Sequence, residues 1–182
     1  MSKKIQKSQE KVHNCTDNGD RASSTPGAHL NDKRQLSNSE IDTWHAVLGA
    51  TRKLFSQVDR DLISQAGIPL FYHQILVHLA GAPEHSLRMN ELSEATQSIP
   101  SSISHAISRL EEDGLVVRTH CPQDRRGWFA VLTELGSDRL AESNGALSRS
   151  LRRHLFDLLN EKQIVELTKT LGLINSEIPN EI

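Results

Sequence analysis

Small hydrogen-bonding side chains are concentrated between Pro100 and Gly114. Serine hydroxyls and an imidazole donate and accept hydrogen bonds without adding negative charge. A helix that enters the major groove of DNA needs this composition, because its side chains must reach base edges and phosphates. At helical spacing, the apolar residues of the same segment share the opposite face. The predicted DNA-contacting residues of this segment are Ser101, Ser102, Ser104, His105 and Ser108.

A second group of polar residues forms a predicted turn that is rich in arginine. From Gly114 to Thr133, three arginines stand against one aspartate, so this stretch is positive in a chain whose net charge is −2. Arginines at a turn tip fit the minor groove, whose negative potential attracts them. Asp124 precedes Arg126 by two residues and can pair with it to fix its direction. We expect DNA contacts from Arg118, Arg125 and Arg126, supported by Asp124.

The elements around both groups predict a winged helix-turn-helix. Pro69 opens a helix that stops near Gly81, and a brief extended piece leads into a short helix beginning at Asn90. The serine-rich helix follows, with Pro100 in its first turn and Gly114 just past its end. Two β-rich runs, 115–120 and 128–132, flank the polar turn and predict a hairpin, the wing. The expected fold class is mainly α (α+β), with a DNA-binding lobe over 69–133 and the wing over 115–133.

Long amphipathic helices flank this lobe. Ser37 and Glu40 have capping-box spacing, and apolar residues then recur every three or four positions to Leu62, which predicts a helix of about 25 residues spanning nearly 40 Å. Thr133 is a candidate cap for a second long helix, and 160–163 is a capping box for the last one. Their apolar faces exceed what one lobe can cover. The segments 37–67 and 134–182 are therefore predicted to be the dimerisation helices of a homodimer.

The first 36 residues differ in composition from the rest of the chain. Their few apolar residues follow no period, so we expect a disordered arm over 1–36 and a folded winged-helix domain over 37–182. No run approaches the ~18 apolar residues that a membrane-spanning helix needs. The 182 residues are accordingly interpreted as a cytoplasmic protein without a membrane partner.

The motifs, in their order along the chain, resemble the MarR (multiple antibiotic resistance regulator) family from about Ile41 to Ile174. The resemblance rests on Leu87–Glu94, Ser104–Leu115, Asp124-Arg125-Arg126-Gly127 and Leu132-Thr133-Glu134-Leu135-Gly136. It implies an obligate homodimer whose first and last helices interlock and whose lobes read a palindromic operator in double-stranded DNA. Asp124 and Arg126 match the wing motif, in which the arginine enters the minor groove.

The resemblance also implies how such a protein is used. We expect a sequence-specific DNA-binding transcriptional regulator, a repressor released by a small aromatic or amphipathic effector bound between the dimer helices and the lobe. The candidate effector residues, chosen by their position on the first two helices, are Trp44, His45, Arg52, Phe71 and His73.

Other functions have weaker support in the sequence. His73 and His78 are five residues apart, a poor helical chelate, so we expect no metal site and no cofactor. Cys121 at the wing base is interpreted as a half-buried thiol, although a redox response of Cys121 or Cys15 stays open. Motifs for catalysis are lacking, so an enzyme is not expected. The remaining alternatives are a metal- or redox-responsive regulator and a winged-helix dimer that serves as a platform for another protein.

Overall fold

The computed structural model describes residues 35–120 and 127–178. The expected arm lies outside the described residues except for positions 35 and 36. Cys15, Cys121, Asp124, Arg125 and Arg126 also lie outside the described residues. The fold is mainly helical with one small sheet, as the sequence predicted. The helices are α1 (Asn38–Ala66), α2 (Leu70–Gly81), α3 (Met89–Ala95), α4 (Pro100–Glu112), α5 (Glu134–His154) and α6 (Glu161–Glu177), and the strands are β1 (Ser86–Arg88), β2 (Val116–His120) and β3 (Trp128–Leu132).

Local sequence signals set several helix ends. Pro100 is in the first turn of α4, after an extended Ile99, and Gly114 follows the helix with φ +73°. Thr133 caps α5, its Oγ1 accepting from the N–H of Gly136 at 2.9 Å. A reciprocal capping box opens α6: each side chain of Asn160 and Gln163 accepts from the other residue's N–H at 3.0 Å. These predicted starts and stops are confirmed.

The sheet has three antiparallel strands in the order β1-β3-β2. Arg118 of β2 and Leu87 of β1 both pair with Ala130 of β3, one on each side. The hairpin of β2 and β3 is therefore as predicted. The sequence indicated an extended piece at 87–89 but not its pairing, which brings together residues more than forty positions apart.

The hydrophobic core lies inside the lobe, between α2, α3, α4, α5 and the sheet. Leu76, Leu92 and Ile107 are each 0% exposed. α5 approaches the start of β2 so closely that a Cβ at Gly136 would overlap the carbonyl oxygen of Leu115. Only glycine fits there, so any side chain at position 136 would push α5 away from the start of β2.

The outer parts of the long helices are not covered by this core. The buried residues of α1 are Val58, Leu62 and Ala66, all in its C-terminal third, and α6 has no buried residue. No helix among residues 35–120 and 127–178 is long and apolar enough to span a membrane. Large apolar side chains exposed on these helices include Trp44, Val47, Phe55, Val165, Leu167, Leu171, Leu173 and Ile174.

Candidate nucleic-acid interface

The turn between α3 and α4 is closed by Ser93. Its backbone carbonyl accepts from the N–H of Ser98 at 2.9 Å, and its hydroxyl donates to the carbonyl of Ser98 at 2.7 Å. Gln97 in this turn has φ +51°. Ser93 is itself buried, so the bonds that set the turn are shielded from water. These hydrogen bonds therefore fix the angle between α3 and α4.

α4 has one buried face and one accessible face. Ile103, Ala106, Ile107 and Leu110 are at most 2% exposed and anchor the helix to the core. The hydroxyl-bearing residues lie on the other side, as the sequence predicted. Of the predicted contact residues, Ser101, Ser104 and His105 are exposed, whereas Ser102 and Ser108 are half-buried. DNA contact by these five residues stays a prediction.

The wing rises beside α4 as the β2–β3 hairpin. At its described end the rings of His120 and Trp128 stack with centroids 3.7 Å apart and an interplanar angle of 37°. These residues are register partners across the two strands. The predicted tip residues Asp124, Arg125 and Arg126 lie outside the described residues, so their roles also stay predictions.

Arg118 faces back from the wing onto α4. Its Nη2 donates to the carbonyl of Ser104 at 2.9 Å and to the hydroxyl of Ser108 at 2.8 Å, and its Nη1 lies 3.5 Å from Glu111 Oε2. The backbone N–H of Arg118 donates to Glu111 Oε1 at 3.1 Å. The sequence analysis named Arg118 but missed its partner Glu111. The two residues carry opposite charges on either side of the turn at Gly114, and this was the pattern that could have indicated the pair.

The five candidate effector residues are not gathered in one place. Trp44 and His45 are exposed near the start of α1. Val58 lies further along this helix and lines the same cavity as His73. It is fourteen residues from Trp44, or about 21 Å along the helix. Phe71 packs against the core beside Tyr72, with ring centroids 6.3 Å apart. Arg52 and His73 line two different cavities.

The cavity that contains His73 lies between α1, α2 and α5. It has a volume of about 360 Å³ and predominantly apolar walls. The sequence analysis named only His73 from this lining as an effector residue, because the other walls come from three helices whose approach no local pattern indicates. These residues are Leu54, Phe55, Val58, Leu70, Gln74, Val77, His78, Leu147 and Leu151.

His73 is held in this wall by a buried hydrogen bond. Its Nδ1 lies 2.9 Å from the hydroxyl oxygen of Ser143, and that hydroxyl donates its proton to the carbonyl of Leu140 at 3.0 Å. When the single proton of the Ser143 hydroxyl points to Leu140, Nδ1 of His73 carries a proton and donates it to Ser143. Burial lowers the pKa of His73 below its ordinary value, since an imidazolium would lose hydration there.

The cavity that contains Arg52 is larger and more polar. It measures about 820 Å³ between α1 and the end of α5, and Lys53, Arg60 and His154 also line it. His154 reaches Asp61 at 3.1 Å, and Ser150 donates to the same carboxylate oxygen at 2.7 Å. Chiefly because of the Ser150 hydrogen bond, the pKa of Asp61 is lowered.

Metal-ligating side chains are dispersed through the described part of the chain. Within residues 35–120 and 127–178, no group of three or more His, Cys, Asp or Glu residues is placed to hold a metal ion.

The helices α3 and α4 followed by the three-stranded sheet define a winged helix-turn-helix fold. A family model described as "MarR family" matches residues 66–127. The chain is similar to Sco3205, a MarR family transcriptional regulator from Streptomyces coelicolor crystallised in complex with DNA. The two are 34% identical with a TM-score of 0.75, over 80% of this chain and 91% of that chain.

Two further relatives agree. AbsC, a MarR family transcriptional regulator from the same organism, is 36% identical with a TM-score of 0.72, over 79% of this chain and 96% of that one. The HTH-type transcriptional repressor MdtR of Bacillus subtilis is 31% identical over 87 residues, which are 47% of this chain but only 56% of MdtR. The chain belongs to the MarR family, and these relatives are transcriptional regulators rather than enzymes.

Proposed function

We propose that this protein is a homodimeric, sequence-specific DNA-binding regulator that represses transcription and is released from its operator by a small-molecule effector. The observation that carries DNA binding is the accessible face of α4 with the wing beside it. Ser101, Ser104 and His105 are exposed, and the apolar residues of the same helix are buried. Sco3205, to which the chain is similar along most of its length, was crystallised with DNA.

Binding to the DNA that flanks its own gene tests this proposal. Fluorescence anisotropy with this duplex and with a shuffled duplex of equal length gives the affinity for each at several salt concentrations. We expect the flanking duplex to bind more tightly, and the affinity for both to fall steeply as salt rises, because phosphate contacts release counterions. Binding that is absent or independent of salt would favour a platform for another protein instead.

The homodimer is supported by the apolar surface left on α1 and α6. Leu167 is 40% exposed and Trp44 is 57% exposed, although both belong to helices with a regular apolar face. A 17-residue helix without a buried residue is not stabilised by the core of its own lobe. A second copy would cover both helices, and a dimer would place two α4 helices on one duplex, as a palindromic operator requires.

Repression and effector release complete the proposal. The relative MdtR is named as a repressor. The apolar cavity of about 360 Å³ falls in the range of small-molecule sites and has the imidazole of His73 in its wall, which suits a small aromatic or amphipathic ligand. Phenolic acids and apolar drugs are the probes. We expect at least one to raise the melting temperature and to release operator DNA; a panel without either effect would contradict an effector.

A further inference from the structure

We propose that Arg118 is a positioning residue that holds the wing at a fixed angle to α4, rather than a residue that contacts phosphate. This inference deepens the proposed DNA-binding function and rests on it. If the wing is held at this angle, α4 and the wing contact DNA at the same time. Arg118 and its partner Glu111 then affect the preference for the operator sequence without contacting a base.

The guanidinium of Arg118 is already occupied within the protein. Its partners are Ser104, Ser108 and Glu111, which are separated by four and then three residues and therefore share one side of α4 over two turns. The planar guanidinium presents several N–H donors in a rigid arrangement, so it can bridge acceptors that a lysine ammonium cannot reach together. The side chain is only 27% exposed.

Ser108 belongs to the same cluster. Its single hydroxyl proton is donated to the carbonyl of Ser104 at 2.9 Å, and its oxygen accepts from Arg118. A hydroxyl engaged on both sides has no proton to offer a base edge. Ser108 was predicted from the sequence as a DNA contact, and we assign it to the contact between helix and wing.

The charge and the backbone of Arg118 are also engaged by Glu111. The carboxylate lies 3.5 Å from Nη1, which offsets the positive charge that a phosphate contact would use. Because β2 is an outer strand of the sheet, its outward N–H groups lack a strand partner. Glu111 accepts one of them, that of Arg118, at 3.1 Å. One carboxylate thus ties both the side chain and the backbone of the wing to α4.

Two substitutions separate this role from a phosphate contact. Arg118→Lys keeps the charge but cannot bridge the three partners. We expect it to lower the ratio of operator to shuffled-duplex affinity by about tenfold, comparable with one lost base contact, with the salt slope unchanged. A phosphate-contacting residue would instead be rescued by lysine, and wild-type discrimination in this variant would overturn the proposal.

Glu111→Ala gives the second test, with Glu112→Ala as its matched control. Both remove one carboxylate from the same turn of α4, but the carboxylate of Glu112 accepts from Arg109 of its own helix, at 2.7 Å. Loss of negative charge near DNA favours binding to any duplex. We expect Glu112→Ala to keep the discrimination of the wild type and Glu111→Ala to reduce it about tenfold, comparable with one lost base contact. Equal discrimination in the two variants would overturn the proposal.

Amide hydrogen exchange measured without DNA tests the positioning role of Arg118 separately from the proposed DNA-binding function. We expect the Arg118 amide to exchange faster in Glu111→Ala, and exchange across β2 to rise in Arg118→Lys, with Glu112→Ala unchanged and all three variants folded by circular dichroism. Unchanged exchange would overturn the positioning role. If the wild type binds no duplex, the proposed function is wrong, while the exchange rates still show whether these contacts hold the wing to α4.

Discussion

The carboxylate of Asp59 caps α2 from within α1. Its Oδ1 accepts a hydrogen bond from the backbone N–H of Leu70 at 2.8 Å, at the first residue of α2. The residue at the N-cap position, Pro69, provides no side-chain hydrogen bond. The side chain of Asp59 in α1 therefore supplies the acceptor that Pro69 cannot, and it ties α1 to the start of α2.

Asp59→Ala is expected to lower the free energy of unfolding by about 0.5–2 kcal/mol, the usual cost of losing a capping acceptor. Asp59→Asn keeps an amide oxygen at the same place, so its loss should be smaller. Urea unfolding measures both. Asp42→Ala, an exposed aspartate near the start of the same helix, is the control. Equal losses for the variants at positions 59 and 42 would contradict the capping role.

The stability of the protein should depend on the protonation of His73. Burial lowers its pKa in the folded state below the value of 6.5 that is ordinary for histidine. The unfolded chain then binds more protons as pH falls through this range, so this residue stabilises the fold above pH ~6.5 and the stabilisation is lost as pH falls. The melting temperature should therefore decline as the pH is lowered from 7.5 to 5.

The variant His73→Gln separates this effect from other titrations. Glutamine can still donate to Ser143 but does not titrate. We expect its melting temperature to be lower than that of the wild type at pH 7.5, with a shallower decline towards pH 5. If the pH dependence of the variant equals that of the wild type, His73 does not cause it.

The proposed dimer should depend on the apolar face of α6. Leu167→Ala combined with Leu171→Ala removes two side chains that are 40% and 46% exposed in the single chain, and should weaken association by a few kcal/mol if a second copy buries both. Light scattering across micromolar concentrations gives the mass. Lys162→Ala with Lys169→Ala, two exposed residues of the same helix, is the matched control. A monomeric wild type would refute the dimer.

The wing tip and α4 should differ in what they contribute to DNA binding. Arg126→Ala is expected to weaken binding to operator and random DNA alike and to lower the salt slope by about one, the signature of a lost phosphate-region contact. His105→Ala should instead change which operator variants are preferred, by about 1–3 kcal/mol for a lost base contact. Unchanged operator affinity in a folded Arg126→Ala would mean that the wing does not contact DNA.

Much of the fold could be predicted because its signals are local. Pro100, Thr133 and the Asn160–Gln163 box determine helix ends within one turn of themselves, and each acts as the sequence indicated. The apolar period of α4 likewise specifies which side of it is buried. Such features depend on residues a few positions apart, so the sequence contains their whole cause.

The features that were missed depend on distant residues. The pairing of Leu87 with Ala130 is set by how the lobe closes, and the three-stranded sheet could not be inferred from a short extended piece. The partners of Arg118 depend on the angle between β2 and α4. The effector candidates were chosen by sequence position on α1 and α2, yet the length of α1 separates Trp44 from His73.

A footprint on the DNA upstream of its own gene tests the central claim most directly. Nuclease or hydroxyl-radical cleavage, with the protein at saturating concentration, shows which positions it covers. We predict two protected half-sites related by two-fold symmetry, with centres about one helical turn (~10 base pairs) or a multiple of it apart, as two α4 helices in successive major grooves require. Protection without two-fold symmetry, or no protection at saturating concentrations of protein, would contradict the account.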